Sequence, residues 1–322
     1  MITSEQVKRC ARMSGADLVG IANIERFADA PPETHPWSIY PETRSVIVIA
    51  CRILEGSYKG IEQGTDWAAY WIYGYGAGTC GTLSRAASGT ARFLAANGHE
   101  AVHTGGSATL LEQPAKRLPV APGRMPSDVS VHTRITAALA GLGELGWSKV
   151  FLTPQFGPRQ RFTIILTDAE LEPDPLMREH LCDRCMACVR GCPGYALGGK
   201  EVSVTVEGRT FSWGDVDLGK CKVTHWGINP LASPFVRKDL PGLNMNVKET
   251  SFSWFEAFRL GFAISTRVDY QGRMATGYKE VGQSGRPGPI CGARGCVQAC
   301  YRHLVKKGTV PGRLAPDEEV EA

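Results

Sequence analysis

The chain has 322 residues, enough for one large domain or two ordinary ones, and 43% hydrophobic content, which supplies a sizeable core and argues against wholesale disorder. A formal net charge of +4 gives no argument for nucleic acid or a membrane surface, and no stretch approaches the roughly 18–20 apolar residues that span a bilayer. Eleven cysteines, without an apolar leader or twin-arginine pair between Met1 and Gly20, fit metal ligands in a reducing compartment better than disulfides, so a cytoplasmic metalloprotein is expected.

In chain order, residues 3–13 read as a helix capped by Thr3 or Ser4, with Val7, Cys10 and Ala11 facing inward. Gly15 ends it, and residues 18–22 and 45–50 read as buried strands on either side of a proline-rich loop. Residues 66–81 crowd Trp67, Tyr70, Trp71, Tyr73 and Tyr75 together with Gly74, Gly76, Gly78 and Gly81. Two readings stand: a helix packing aromatics into the core, or a wall for a flat ligand in which a tyrosine donates a proton. Ser84 to Asn97 reads as a helix closed by Gly98.

Residues 131–139 have helical composition and run into Ala140-Gly141-Leu142-Gly143-Glu144-Leu145-Gly146. This matches G-x-G-x-x-G, but a dinucleotide fingerprint follows a strand and opens a helix, whereas this one follows a helix and opens a strand at 149–153. A turn that lets backbone approach something closely is the better reading. Gly157, Arg159 and Arg161 occupy the next tight loop, ahead of a strand at 162–167. The arginines can clamp an anion or pair with a nearby carboxylate.

The chemistry concentrates after Pro175. Cys182, Cys185, Cys188 and Cys192 follow C-x₂-C-x₂-C-x₃-C-P, the bacterial ferredoxin run, in which the fourth cysteine serves a different cluster from the first three. Zinc, which takes four ligands as separated pairs, is the weaker alternative. Beyond a pair of strand-like segments comes Cys221, and much later Cys291, Cys296 and Cys300. Applying the crossover puts Cys182, Cys185, Cys188 and Cys300 on one 4Fe–4S cluster and Cys192, Cys221, Cys291 and Cys296 on the other. Cys10, Cys51 and Cys80 remain as structural thiols. Residues 222–290 interrupt this part as a long aromatic-rich insertion, either a structural arm or a lid.

These stretches together resemble the epoxyqueuosine reductase and reductive dehalogenase group of cobalamin-dependent enzymes with two 4Fe–4S clusters. The resemblance rests on residues 15–22, the glycine loop 140–146, Gly157-Pro158-Arg159, Leu166-Thr167-Asp168 and the cysteine motifs. It implies an α/β (α+β) fold, with a nitroreductase-like cofactor and substrate domain over 1–176. A ferredoxin-like two-cluster domain over 177–312 and a polar tail over 313–322 would follow. It further implies cobalamin, met by Gly141, Gly143, Gly146, Gly157, Arg159 and Arg161. The proton donors would be drawn from Tyr70, Tyr73, Tyr75 and Asp128, the last sitting in a Ser-Asp-Val-Ser context only loosely like the family's acidic donor. The expected partners are a low-potential electron donor such as ferredoxin or flavodoxin and a small organic substrate to be dehalogenated or deoxygenated, with nucleic acid and membrane not expected. The sequence leaves two other functions open: an electron-transfer protein without cobalamin, and a tRNA-modifying reductase. Oligomeric state is left open.

Overall fold

The computed structural model describes residues 2–66, 69–104, 118–126, 129–233, 236, 242, 245–265 and 290–312. The first half is mixed α and β around an antiparallel sheet. Its strands are β1 (Leu18–Asn23), β2 (Ser45–Arg52), β3 (Ala101–Thr104) and β6 (Gln160–Thr167), in the order β1–β2–β6–β3. Val48 of β2 lies opposite Gly20 on one side and Ile164 on the other. β2 is apolar without alternation because both faces of the sheet are covered. Val46, Val48, Ile164 and Leu166 enter one core, while Ile47, Ile49 and Ile165 enter the second. Each such fully buried side chain contributes about 1.5–3 kcal/mol relative to exposure.

Helix α1 (Ser4–Met13) starts at a capping box, in which Gln6 N–H donates to Thr3 Oγ1 and Thr3 N–H donates to Gln6 Oε1. It lays Val7 and Ala11 on the second core together with Leu83, Ala86, Ala87 and Leu94 of α3 (Gly81–Ala96). The first core is closed by α4 (Thr133–Leu139) and Phe151. Between β2 and α3 lie α2 (Gly56–Gln63) and a wide π-type helix, Tyr70–Cys80, broken at Gly76 and running directly into α3. From Tyr70 onward the aromatic stretch is therefore helical on either side of a kink at Gly76, and α3 begins three residues before its expected start. The glycines make this possible by removing bulk: a Cβ on Gly74 would lie 2.6 Å from the Tyr70 ring.

After α4 the glycine loop closes onto a short pair, β4 (Glu144–Leu145) and β5 (Phe151–Leu152), shorter than the strand expected at 149–153. The cysteine run contains only α5 (Ala187–Arg190). A hairpin of β7 (Leu197–Val206) and β8 (Arg209–Val216) follows, turned by Glu207 and Gly208, both at positive φ as a type I′ turn requires. Its Val206, Phe211 and Trp213 enter the first core, so this segment is packed on the sheet half rather than tethered to it. In the insertion, α6 (Leu218–His225) and α7 (Trp254–Ser265) enclose a small core of Val223, Trp226, Ile228, Val247 and Ala257. The chain closes with α8 (Cys291–Arg294) and α9 (Cys296–Lys307). Among the described residues no helix is long and apolar enough to cross a membrane.

Candidate metal centre

All eleven cysteines are free thiols. Cys182, Cys185, Cys188 and Cys300 line one cavity, walled by Gly146, Trp147, Leu152 and Leu304. Local geometry explains how residues so far apart in sequence meet there. Arg184 and Met186 both adopt positive φ (53° and 58°), folding the cysteine run back on itself. Glu144 Oε1 accepts both the Leu181 and Cys182 backbone N–H groups at 2.6 Å, and the Trp147 N–H donates to Cys182 Sγ at 3.3 Å. Cys300 arrives on α9, which approaches closely because Gly191 has no Cβ; one placed there would lie 2.6 Å from Ala299.

Cys192, Cys221, Cys291 and Cys296 form a second group. The Cys291 thiol is pushed up by burial and then by Cys296, Cys221 and Cys192 in turn. Cys221, on α6, is solvent-accessible yet so ringed by protein that desolvation dominates and pushes its thiol to about 11. The groups are neighbours: the Cys296 thiol is raised by burial and also by Cys188 and Cys300 of the first group. Cys296 and Cys300 stand one turn apart on α9, so this helix supplies one thiol to each. The Cys300 thiol, pushed to about 12 by burial and then by Cys188, stays protonated at neutral pH unless a metal replaces the proton. Thiols that gather in fours suit metal-centred sites.

Beside the second group lies a cluster of polar and aromatic side chains. Arg161 donates to the Tyr70 hydroxyl at 2.8 Å and stands 4.1 Å from the Tyr75 ring centroid, with its Nε buried and unpartnered. Tyr75 stacks on Trp71 and faces His225 at 6.1 Å between ring centroids. Arg134 donates to the Lys149 carbonyl and is held down to about 10 by burial, then by Arg161, so it stays charged at neutral pH. His225 is kept neutral, pushed to about 3 by burial and then by Arg161 and Lys222.

Of the residues singled out from sequence, Tyr75 and Arg161 belong to this cluster. Tyr70 is buried, stacked on Tyr58 and against Gly292 of the second cysteine motif, where it holds Arg161. Tyr73 is 58% exposed. Asp128 and Trp67 lie outside the described residues. Arg159 is clamped by Glu55 at 2.7 Å and by Gln298 of α9, with its guanidinium 3.5 Å from the Tyr301 ring centroid. Gly141 and Gly143 press against the carbonyls of Pro175 and Leu152, Gly146 against the Leu152 side chain, and Gly157 against Leu304. These glycines pack on protein rather than open a cradle. Cys51 is buried in the second core and Cys10 lies against the Gly89 carbonyl. The Cys80 thiol is raised by burial and eased by Arg161. Arg134, Glu144 and His225 escaped the sequence reading. His225 carried a usable signal, since it follows Cys221 by one helical turn.

No family model matches the chain. It is 39% identical over 64 residues to a tetrachloroethene reductive dehalogenase of Desulfitobacterium hafniense, covering 19% of this chain and 12% of that protein. It is 36% identical over 78 residues to the tetrachloroethene reductive dehalogenase of Sulfurospirillum multivorans, covering 23% and 15%. The chain thus spans under a sixth of those relatives' length. Among solved structures, a catabolic reductive dehalogenase aligns with TM-score 0.47 at 21% identity over 67% of this chain and 28% of that one. Epoxyqueuosine reductase from Streptococcus thermophilus aligns with TM-score 0.44 at 13% identity over 95% and 80%. Another structure of epoxyqueuosine reductase, with a tRNA stem loop, aligns with TM-score 0.44 at 14% identity over 94% and 79%. Both enzyme groups that the sequence resembles recur in these comparisons.

Proposed function

We propose that this chain is an iron–sulfur oxidoreductase of the reductive dehalogenase type, carrying two 4Fe–4S clusters that deliver electrons for reduction of a small organic substrate. The observation that carries the reading is the gathering of eight cysteines, from residues 182 to 300, into two adjoining groups of four. Cys182, Cys185, Cys188 and Cys300 hold the cluster beside the solvent-facing groove under the hairpin. Cys192, Cys221, Cys291 and Cys296 hold the one beside Arg134 and Arg161. Electrons from a low-potential donor such as ferredoxin or flavodoxin pass in that order. A reducing cytoplasm suits such a path, and residues 1–176 and 177–312 are the substrate and cluster parts.

Cobalamin is the cofactor this reading implies, and when bound it supplies a strongly reducing cobalt centre. The side chains gathered there suit a polar or anionic group of this kind: Arg161 offers an unpartnered buried Nε, Arg134 a second positive charge, and Tyr75 and Trp71 a stacked aromatic pair. Arg134, Arg161, Tyr75 and His225 are the residues that would meet it. Arg161, fixed by Tyr70, orients the Tyr75 ring, and the Tyr75 hydroxyl is the candidate proton donor to the substrate. His225, neutral, leaves the positive charge of this cluster to the arginines.

The closed packing of Gly141, Gly143, Gly146 and Gly157 favours a second reading, electron transfer without cobalamin. Anaerobic reconstitution with iron, sulfide and cobalamin, followed by metal analysis, separates the two. About eight irons and one cobalt per chain support the first. About eight irons without cobalt leave only the second, and about four remove one cluster. Turnover on halogenated aromatics set against an epoxyqueuosine-bearing tRNA stem loop then distinguishes a small-molecule substrate from a nucleic acid one.

A further inference from the structure

Among the described residues, Glu144 is the one acidic side chain that is buried, at 9% exposure. A buried charge costs free energy unless it is hydrogen-bonded or paired, so its partners show what it serves. Its Oε1 accepts the Leu181 and Cys182 N–H groups, both at 2.6 Å. Its Oε2 faces His180 Nδ1 at 3.0 Å, and that imidazole belongs to a side chain that is 83% exposed. The carboxylate is thus held in protein against the backbone of a cysteine ligand, while its counter-ion stands in solvent. The other charges at this cysteine group are matched. Asp183 accepts the Cys185 N–H at 3.2 Å, but its second oxygen accepts from Lys307 at 3.1 Å and meets His303 at 2.9 Å. Arg184 is engaged by Glu201 at 2.7 Å. Glu144 supplies the charge that is left over. The amides around Cys182 are divided accordingly: the Trp147 N–H donates to its sulfur, whereas its own N–H is turned to Glu144.

Net charge and hydrogen bonds to sulfur set the potential of an iron–sulfur cluster: a nearby anion lowers it, and an N–H aimed at sulfur raises it. The anion acts more strongly where protein replaces water. We infer that Glu144 is a positioning residue of the first cluster, whose buried carboxylate draws the Cys182 N–H away from sulfur and lowers the cluster's reduction potential. The inference rests on the two-cluster reading and adds a direction to it. An electron delivered by the low-potential donor is held less firmly at Cys182, Cys185, Cys188 and Cys300, beside Glu144, than it would be without that charge. It is therefore driven on to Cys192, Cys221, Cys291 and Cys296, beside the charged Arg134. The first cluster loses the one electron that the second gains, and no bond or proton changes place.

The test uses the full chain, reconstituted anaerobically, with each cluster's midpoint read by electron paramagnetic resonance during a redox titration. Cys221→Ala, which keeps the first cluster alone, assigns the signals. Glu144→Gln retains an acceptor for both N–H groups and removes only the charge. Its iron should stay at about eight per chain. At a fixed potential the reduced-to-oxidised ratio of its first cluster should rise at least tenfold, a shift of about 59 mV, with the second cluster unmoved. Asp183→Asn, which removes a charge facing Lys307 and solvent, should shift the first cluster less. His180→Lys sets a permanent ammonium against Glu144 and leaves the backbone hold intact. It should shift the first cluster in the same direction, and it reads the same charge where Glu144→Gln loses iron. An unchanged or lowered ratio in Glu144→Gln holding about eight irons overturns the inference and spares the clusters. So does an equal shift of both clusters, or an unmoved first cluster in His180→Lys. Unsubstituted protein holding about four irons overturns the two-cluster reading and the direction of flow, and a remaining cluster indifferent to Glu144→Gln then overturns the role of Glu144 as well.

Discussion

Arg159 and Arg161 stand two residues apart on one strand and do different work. Arg159, 4% exposed, ties Glu55 to Gln298 and sits on the Tyr301 ring, joining the sheet half to the helix that bears Cys296 and Cys300. Replacing it with Ala leaves the buried Gln298 oxygen without a donor and breaks the tie to Glu55, and should cost about 2–4 kcal/mol in denaturant unfolding, with cluster loading impaired as well. Arg161 meets Tyr70 and Tyr75 instead, so Arg161→Gln should lower turnover with little loss of iron, and Tyr75→Phe should do the same without moving substrate binding. His132 offers a test by pH. Its ring is buried at the start of α4, where Nδ1 accepts the Ile135 N–H, and burial pushes it to about 3. The unfolded chain takes up this proton below about 6.5 while the folded one does not. Stability therefore falls as pH drops through that window, by about 2 kcal/mol between pH 7 and pH 5 from this group. His132→Asn keeps a capping acceptor and should flatten that part of the stability–pH curve.

At the scale of elements, the glycine loop works through packing. Gly143 sits at φ +159°, and a Cβ there would overlap the Leu152 carbonyl on the paired strand. Gly143→Ala should separate β4 from β5 and lower stability by roughly 2–4 kcal/mol, read as a fall in Tm. Because β4 carries Glu144, which holds the Cys182 backbone, the same variant should lose iron from the first group before the second. The loop's failure as a dinucleotide fingerprint was legible in the sequence, from the helix before it. What it packs against was not, since Pro175 and Leu152 are brought to it by the sheet. The aromatic stretch shows the same limit. Its composition announced a dense cluster, but spacing alone could not say that Tyr70 turns inward, Tyr73 outward and Tyr75 toward Arg161, because a π-type turn breaks the usual helical periodicity.

For the whole molecule, the decisive property is how distant thiols meet. Cys221→Ala should remove about half the iron and leave the spectrum of a single cluster, because its partners Cys192, Cys291 and Cys296 would be left one ligand short. The cysteine spacings, the buried strands β1, β2 and β6, and the capped first helix could all be read from the sequence. They depend on local periodicity and on the reach of a short loop. Strand β3, helix α2, and the roles of Arg134, Glu144 and His225 could not, since nothing in their own neighbourhood marks them. The sequence by itself determined that this chain carries thiols in the pattern of two iron–sulfur centres. Only the tertiary structure decided which of the two cysteine groups lies beside an open groove and which beside Arg134, Arg161, Tyr75 and His225. The reason is physical: a ligand's spacing is a property of the loop, but its surroundings are set by how helix, hairpin and sheet pack around it.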